Sequence, residues 1–231
     1  MLAPRERQAA LAALDIVEWL PRAAPPVVLD APPQSPVHES PVGADALGWD
    51  ELQAAVAACT QCALAAGRTQ TVFGVGNRNA EWMIIGEAPG QEEDRQGEPF
   101  VGRAGQLLNS MLEALGLARQ QVFIANILKC RPPGNRDPEP AEAAACAGWL
   151  ARQIALVSPR IILCVGRVAA QNLLGTQTPI GKLRGQPYRY GPHDIPVVVT
   201  WHPAYLLRSP AEKRRAWQDL RLARQVFGPG E

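Results

Sequence analysis

The sequence lacks any apolar run long enough to cross a bilayer, which leaves no candidate for a membrane-spanning helix. Its first residues lack the basic start, apolar stretch and small-residue cleavage site of a secretory signal, so export is not expected. Excess charge is also missing: 23 Lys and Arg against 22 Asp and Glu leave a formal net charge of +1. A chain so balanced carries no global basic signature, and any nucleic-acid surface must be a local patch. Cysteine is scarce, at five residues, and its pattern does not suggest a secreted disulfide scaffold. Reduced thiols fit a cytoplasmic location. The apolar share of 47% is ordinary, and the length allows one sizeable core plus an appendage.

What is present is a pattern of thiols. Cys59 and Cys62 form a C-x2-C pair within ACTQCALAAGR. Cys130 closes the run IANILKC, and Cys146 follows 16 residues later in PAEAAACAGW. One close pair and two distant singles read as ligands of one metal centre. Zinc is the first rival, but structural zinc sites usually draw their cysteines from two close pairs. The Cys-Arg-Pro run at Cys130 matches the proline that follows cluster cysteines in ferredoxins, which favours iron–sulfur. Four unrelated core thiols are the plain alternative, since cysteine is often simply buried. Cys164, inside the apolar run IILCVG, fits that plain reading and is expected to be an inert strand residue.

The order of the chain suggests three parts. Residues 1–20 read as a helix, with Leu11, Leu14, Val17, Trp19 and Leu20 as its apolar positions. Residues 21–48 read as a linker, with seven prolines between 21 and 45. The folded domain is expected over 49–228. Within it, WMIIG, VFIANI, RIILCVG and IPVVVTW read as strands, separated by helices over 103–116, 139–157, 167–174 and 210–227. Ser209 is the expected N-cap of the last helix. This alternation predicts an α/β fold, a three-layer α/β/α sandwich around a four-stranded, mostly parallel sheet. Ligands of such sheets sit at the carboxyl ends of the strands. There the chain places GEAPGQEED, ANILKCRPP, GRVAAQ and WHPAYLLR.

These loops resemble those of the uracil-DNA glycosylase superfamily, and specifically its iron–sulfur family 4. The resemblance is carried by Gly86-Glu87-Ala88-Pro89-Gly90, by EEDRQGEPFVGRAGQLL, by Asn126 and by His202-Pro203-Ala204-Tyr205-Leu206-Leu207. The four cysteines match in order and approximate spacing. It extends from about Leu52 to Phe227. It implies a monomeric DNA-repair enzyme that cuts the N-glycosidic bond of deoxyuridine in single- or double-stranded DNA and leaves an abasic site. It also implies a 4Fe–4S cluster on Cys59, Cys62, Cys130 and Cys146, tying the loop after the second strand to the C-x2-C segment.

A base inside a duplex must be extruded before such chemistry, at a cost of a few kcal/mol. Under the resemblance, Phe100 stacks on the flipped uracil; a core Phe is the plain alternative. Asn126 offers an amide that accepts from N3–H and donates to O4, a pattern that cytosine reverses. The plain alternative is a turn residue at a strand end. His202 is expected near uracil O2, where a neutral imidazole N–H meets the charge that grows as the bond breaks. Two positions depart from the best-known branch. Ala88 stands where that branch has a water-positioning Asp, so Glu87 is the candidate for holding the attacking water. Gly90 stands where it has a Tyr that crowds out thymine, and Glu93 is the candidate for crowding C5 instead. A solvated charge is the plain reading of Glu93.

Leu206 or Leu207 is the candidate wedge into the base stack, and packing beneath the last helix is the alternative. Arg103, Arg131, Arg136, Lys182, Arg184 and Arg208 are candidate phosphate contacts that together would form a basic stripe. One branch of the superfamily links covalently to uracil through a His in a basic insert after the second strand. Lys129-Cys130-Arg131-Pro132-Pro133 stands there without a His, which rejects that branch. Two other readings differ in kind: a glycosylase for further deaminated bases, and a non-catalytic iron–sulfur module on DNA. No function follows for residues 1–48, and any partner of the N-terminal helix is unknown.

Overall fold

The computed structural model describes residues 44–228. The helix expected near the N-terminus and most of the proline-rich linker lie outside the described residues. A short 3-10 turn at Ala44–Ala46 comes first, with Ala44 buried. The α-helices then run α1 (Trp49–Ala57), α2 (Gln91–Gln96), α3 (Arg103–Ala114), α4 (Pro140–Val157), α5 (Arg167–Leu174), α6 (Ile180–Leu183), α7 (Pro203–Arg208) and α8 (Lys213–Phe227). The strands are β1 (Val75–Gly76), β2 (Trp82–Gly86), β3 (Phe123–Asn126), β4 (Ile161–Val165), β5 (Pro187–Tyr190) and β6 (Ile195–Thr200).

The sheet has six strands in the order β1-β3-β2-β4-β6-β5, which corrects the expectation of four. The four strands read from the sequence form its parallel centre. Apolar, largely β-branched runs make them, and every residue of β2, β3 and β4 is buried. The two unforeseen strands are the edges, and both pair antiparallel. β1 is only two residues long, and all four residues of β5 are half-buried, so neither carries an apolar run. Pro187 opens β5, a position where an edge strand tolerates proline.

Side chains alternate across the central strands and feed two cores. Met83, Ile85, Phe123, Ala125, Ile162, Cys164, Val197 and Val199 face α4, α5 and α6. Trp82, Ile84, Ile124, Leu163, Val165 and Val198 face α3, α7 and α8. Fully burying an aliphatic side chain of this kind contributes about 1.5–3 kcal/mol. The chain is therefore the expected three-layer α/β/α sandwich. A third, smaller core joins α1 to α4 through Leu52, Val56, Phe73, Leu128 and Trp149, and contains Cys130 and Cys146. At the C-terminal helix one detail departs from expectation. The Ser209 side chain makes no capping bond, and a 3-10 turn at Pro210–Glu212 precedes α8.

Candidate active site

Parallel pairing brings four loops to one end of the sheet. Gly86 pairs with Asn126, and Val165 with Thr200, so the last residues of β2, β3, β4 and β6 are level. Gly86 is the point of closest approach. A Cβ there would stand 2.4 Å from Asn126 Oδ1 and 2.6 Å from Phe100 Cζ. Only glycine lets both side chains close onto the strand end. Asn126 is 2% exposed, and its Oδ1 is buried and receives no hydrogen bond among the described residues. An unpaired buried acceptor costs about 1–3 kcal/mol, which marks it as an atom awaiting a donor.

Phe100 adopts φ 55°, the left-handed region that bulky residues avoid. Glu93 holds it there. Its Oε1 accepts hydrogen bonds from the backbone N–H groups of Val101 (3.1 Å) and Gly102 (3.2 Å). Its other oxygen lies over Gly90, where a Cβ would come within 2.7 Å of Oε2. Glu93 is thus engaged, and not a freely solvated charge. The Phe100 ring faces the His202 imidazole, with centroids 5.6 Å apart and planes 29° apart.

His202 ends the segment after β6 and caps α7: its Nδ1 accepts from the backbone N–H of Ala204 at 3.1 Å. Desolvation, helped by the charge of Arg208, lowers its pKa to about 4. The ring is neutral at physiological pH, and with Nδ1 accepting, the proton sits on Nε2. Gly166 at the end of β4, at φ 103°, lets the ring in, since a Cβ there would meet His202 Cβ at 3.1 Å.

Glu87 follows Gly86, and its carbonyl accepts from the Leu128 N–H at 3.0 Å. Burial first, and the charge of Asp137 second, raise its carboxyl pKa to about 7, against the pull of Arg167. Asp137 and Arg167 form an ion pair of their own beside it. A carboxyl balanced near neutrality is suited to taking a proton from water. Ala88 is half-buried and packs against the small third core.

The four cysteines also come together. Cys59, Cys62, Cys130 and Cys146 line one pocket with Val56, Arg68, Lys129 and Trp149. Among the described residues, no group of three or more His, Cys, Asp or Glu is placed to hold a metal ion. The four thiols share the lining of one cavity. Two donors aim at the sulfurs: Arg68 Nη1 at Cys130 Sγ (3.1 Å) and the Lys129 backbone N–H at Cys146 Sγ (3.3 Å). Soft thiols on a mostly apolar cavity, with N–H donors to sulfur, fit an iron–sulfur cluster. Cys164 lies apart in β4, its thiol pushed up by burial.

The candidate DNA contacts divide. Arg103, Lys182 and Arg208 are exposed, and Arg131 is half-buried with its Nε on Asn135 Oδ1 (2.7 Å). Arg136 is instead locked onto Glu142 by two hydrogen bonds (2.9 and 2.6 Å) and onto Glu139 at 3.2 Å. Arg184 bonds Asp219 at 2.6 Å and lies over the Trp201 ring, with its side chain 10% exposed. Both are engaged by acids within the fold, Arg184 the more deeply, since the Arg136 side chain is 38% exposed. The leucines divide too: Leu206 is 1% exposed, in the core, while Leu207 is 36% exposed.

Sequence reading missed Lys129, Arg68, Asp137 and Arg167. Lys129, in the loop after β3, and Arg167, at the start of α5 just after β4, had a usable signal. Asp137 and Arg68 had none, because their partners lie 30 and 62 residues away.

The model of the uracil DNA glycosylase superfamily matches residues 73–221. The chain is 41% identical over 186 residues to a type-4 uracil-DNA glycosylase of Archaeoglobus fulgidus, covering 78% of this chain and 93% of that protein. It is 44% identical over 160 residues to one of Thermotoga maritima, covering 68% and 82%. It is also 32% identical over 149 residues to a type-5 uracil-DNA glycosylase of Pyrobaculum aerophilum, covering 57% and 64%.

Proposed function

The chain belongs to the uracil DNA glycosylase superfamily and is a DNA-repair glycosylase that excises uracil, and from that premise we propose how its residues share the work. The observation that carries the assignment of roles is the buried, unpaired Oδ1 of Asn126 at the Gly86 strand end. A flipped uracil supplies the missing donor through N3–H, and the amide N–H2 of Asn126 donates to O4. Cytosine offers no donor at its N3, so it would leave Oδ1 unpaired. Phe100 provides the stacking face, held in its left-handed conformation by Glu93. The Glu93 carboxylate over Gly90 occupies the space that a C5 methyl needs, which excludes thymine.

Bond breaking separates C1′ from N1, and the electron pair leaves with uracil. His202, neutral and protonated on Nε2, donates to O2 as negative charge grows there, an interaction stronger in the transition state than in the ground state. Glu87, when ionised, orients a water toward C1′ and takes its proton as the new C–O bond forms. The products are uracil and an abasic site. Leu207 fills the space left in the stack, and Arg103, Arg131, Lys182 and Arg208 hold phosphates. Cys59, Cys62, Cys130 and Cys146 hold a 4Fe–4S cluster that ties the α1 end to the loop after β3. No helix among the described residues is long and apolar enough to cross a membrane. A monomer working in the cytoplasm fits this reading.

The test is a labelled oligonucleotide with a single deoxyuridine, incubated with anaerobically purified protein and then treated with alkali. Strand scission should appear with the native chain and fall steeply in Asn126→Ala and in His202→Ala. Removing one buried hydrogen-bond partner should lower kcat/KM by about 10- to 150-fold. Unchanged scission in both variants would overturn these roles.

A further inference from the structure

Between the cysteine cavity and Asn126 lies a buried amine that the proposed chemistry does not use. Lys129 is 1% exposed. Its Nζ donates to the Asn126 carbonyl at 2.9 Å and to Gln153 Oε1 at 2.6 Å. Gln153, from α4, is itself fully buried and anchored through its Nε2 to the Phe73 carbonyl at 2.9 Å. Both acceptors of the amine are neutral. A buried ammonium is tolerated only where its hydrogen bonds are met and a negative charge lies close. The groups beside it that can carry that charge are the thiols of Cys130, its chain neighbour, and Cys146, to whose Sγ its backbone N–H donates. The rest of the segment is tied to the pocket. Ile127 N–H donates to the Gly86 carbonyl at 2.9 Å, and Leu128 N–H to that of Glu87 at 3.0 Å. From Asn126 to Cys130, each intervening residue is bonded either to the loop that receives the base or to a cysteine.

We propose that Lys129 is a positioning residue that couples the cysteine centre to uracil recognition, its side chain bridging the backbone of Asn126 and the helix that carries Cys146. The inference rests on the reading of the four cysteines as cluster ligands and of Asn126 as the uracil ligand. It adds a consequence that neither assignment contains. Coupling between sites is reciprocal. Occupation of the Asn126 pocket therefore tightens the hold on iron, and loss of iron loosens Asn126; where the tighter hold lies in dissociation, iron leaves more slowly.

The readout is the rate at which a chelator bleaches the visible absorbance of the cluster, which does not depend on turnover. The probes are a single-stranded oligonucleotide with one uncleavable 2′-fluoro-deoxyuridine and its thymidine counterpart, which covers the same DNA face without entering the pocket. In the native protein the deoxyuridine probe should slow bleaching by about tenfold relative to the thymidine probe, within the usual range of coupling. Lys129→Met should keep its iron and lose that difference. Gln153→Met keeps every cysteine and the lysine, and should lose most of it. An equal tenfold slowing in Lys129→Met, or in Gln153→Met where Lys129→Met fails to load iron, overturns the coupling. So does a native protein that is not slowed at all. Iron content and affinity for the deoxyuridine probe, measured on the native protein in the same samples, report the underlying reading separately: if either is missing, that reading fails, and not the bridge alone.

Discussion

The Phe100 ring and the His202 imidazole face each other across the end of the sheet, 5.6 Å between centroids and 29° between planes. One comes from the loop after β2 and the other from the end of β6, and each is fixed by a backbone device. Phe100 is held at φ 55° by the Glu93 carboxylate, and His202 is turned by the Ala204 N–H on Nδ1. The proposed stacking face and hydrogen-bond donor are thus held in place by the fold itself, which is what electrostatic preorganisation requires.

Rate should depend on pH through two groups. In its proposed role as base Glu87 works only when ionised, so single-turnover cleavage should fall as pH drops below about 7. A second fall should come near pH 4, where a proton on His202 Nδ1 displaces the Ala204 N–H that orients the ring. Glu87→Gln should remove the limb near 7 and lower the plateau by at least about 100-fold. A limb near 7 that survives in Glu87→Gln would exclude it as the base.

The same carboxyl predicts a stability effect of opposite benefit. The fold raises its pKa from 4.5 to about 7, so the protonated form is favoured in the folded state. The contribution of Glu87 is fully present below pH 4.5 and is lost as pH rises through about 7. Glu87→Gln should therefore raise Tm above pH 7 and change it little in acid, as thermal melts at two pH values would show.

Iron content should separate the cysteines. Cys130→Ser should lose iron and, with it, more than about 4 kcal/mol of stability, the range reached when a structural metal is removed. Cys164→Ser should keep its iron and lose only about 1–3 kcal/mol, the penalty of an unpaired buried hydroxyl. Elemental analysis with denaturant melts decides it. Equal iron in both variants would sink the ligand assignment.

Glu93→Ala should unpair the N–H groups of Val101 and Gly102 and free the space over Gly90. Uracil excision should drop by about tenfold as Phe100 loses its support, while thymine opposite guanine becomes a measurable substrate. Competition between the two bases in one oligonucleotide is the measurement. Undiminished rejection of thymine would remove Glu93 from specificity.

Adjacent leucines should behave differently. Leu206→Ala opens a core cavity and should cost about 2–5 kcal/mol of stability. Leu207→Ala should leave the melt unchanged and slow excision from duplex more than from single strands, because only the duplex needs its stack filled. Equal slowing on both substrates would dismiss the wedge.

Arg184→Ala tests the internal ion pair. It would strand Asp219, which is 1% exposed, at a cost of about 3–5 kcal/mol. The salt dependence of DNA binding should not change. In Arg208→Ala the slope should fall by about one counterion, with stability intact.

The central strands were legible because buried parallel strands are continuous apolar runs, and WMIIG and IILCV are such runs. β1 and β5 were not, because an edge strand is specified by its neighbour: PYRY pairs with β6 without any apolar pattern of its own. Within the site, Gly86, Asn126 and His202 were legible as special residues at strand ends. The pairing of Arg136 and Arg184 with acids has a different origin. Whether a cation meets a phosphate or a carboxylate depends on which acid the fold brings near, and Asp219 lies 35 residues beyond Arg184. Lys129 is the same case in reverse, a charge whose burial nothing local announces.

The thiols of Cys59, Cys62, Cys130 and Cys146 precede β4, β6 and His202 along the chain. Synthesis therefore completes the four proposed metal ligands, and with Glu87, Phe100 and Asn126 most of the proposed base pocket, before it reaches the imidazole. The imidazole proposed to assist bond breaking is made last of these groups, so a chain still short of β6 lacks it.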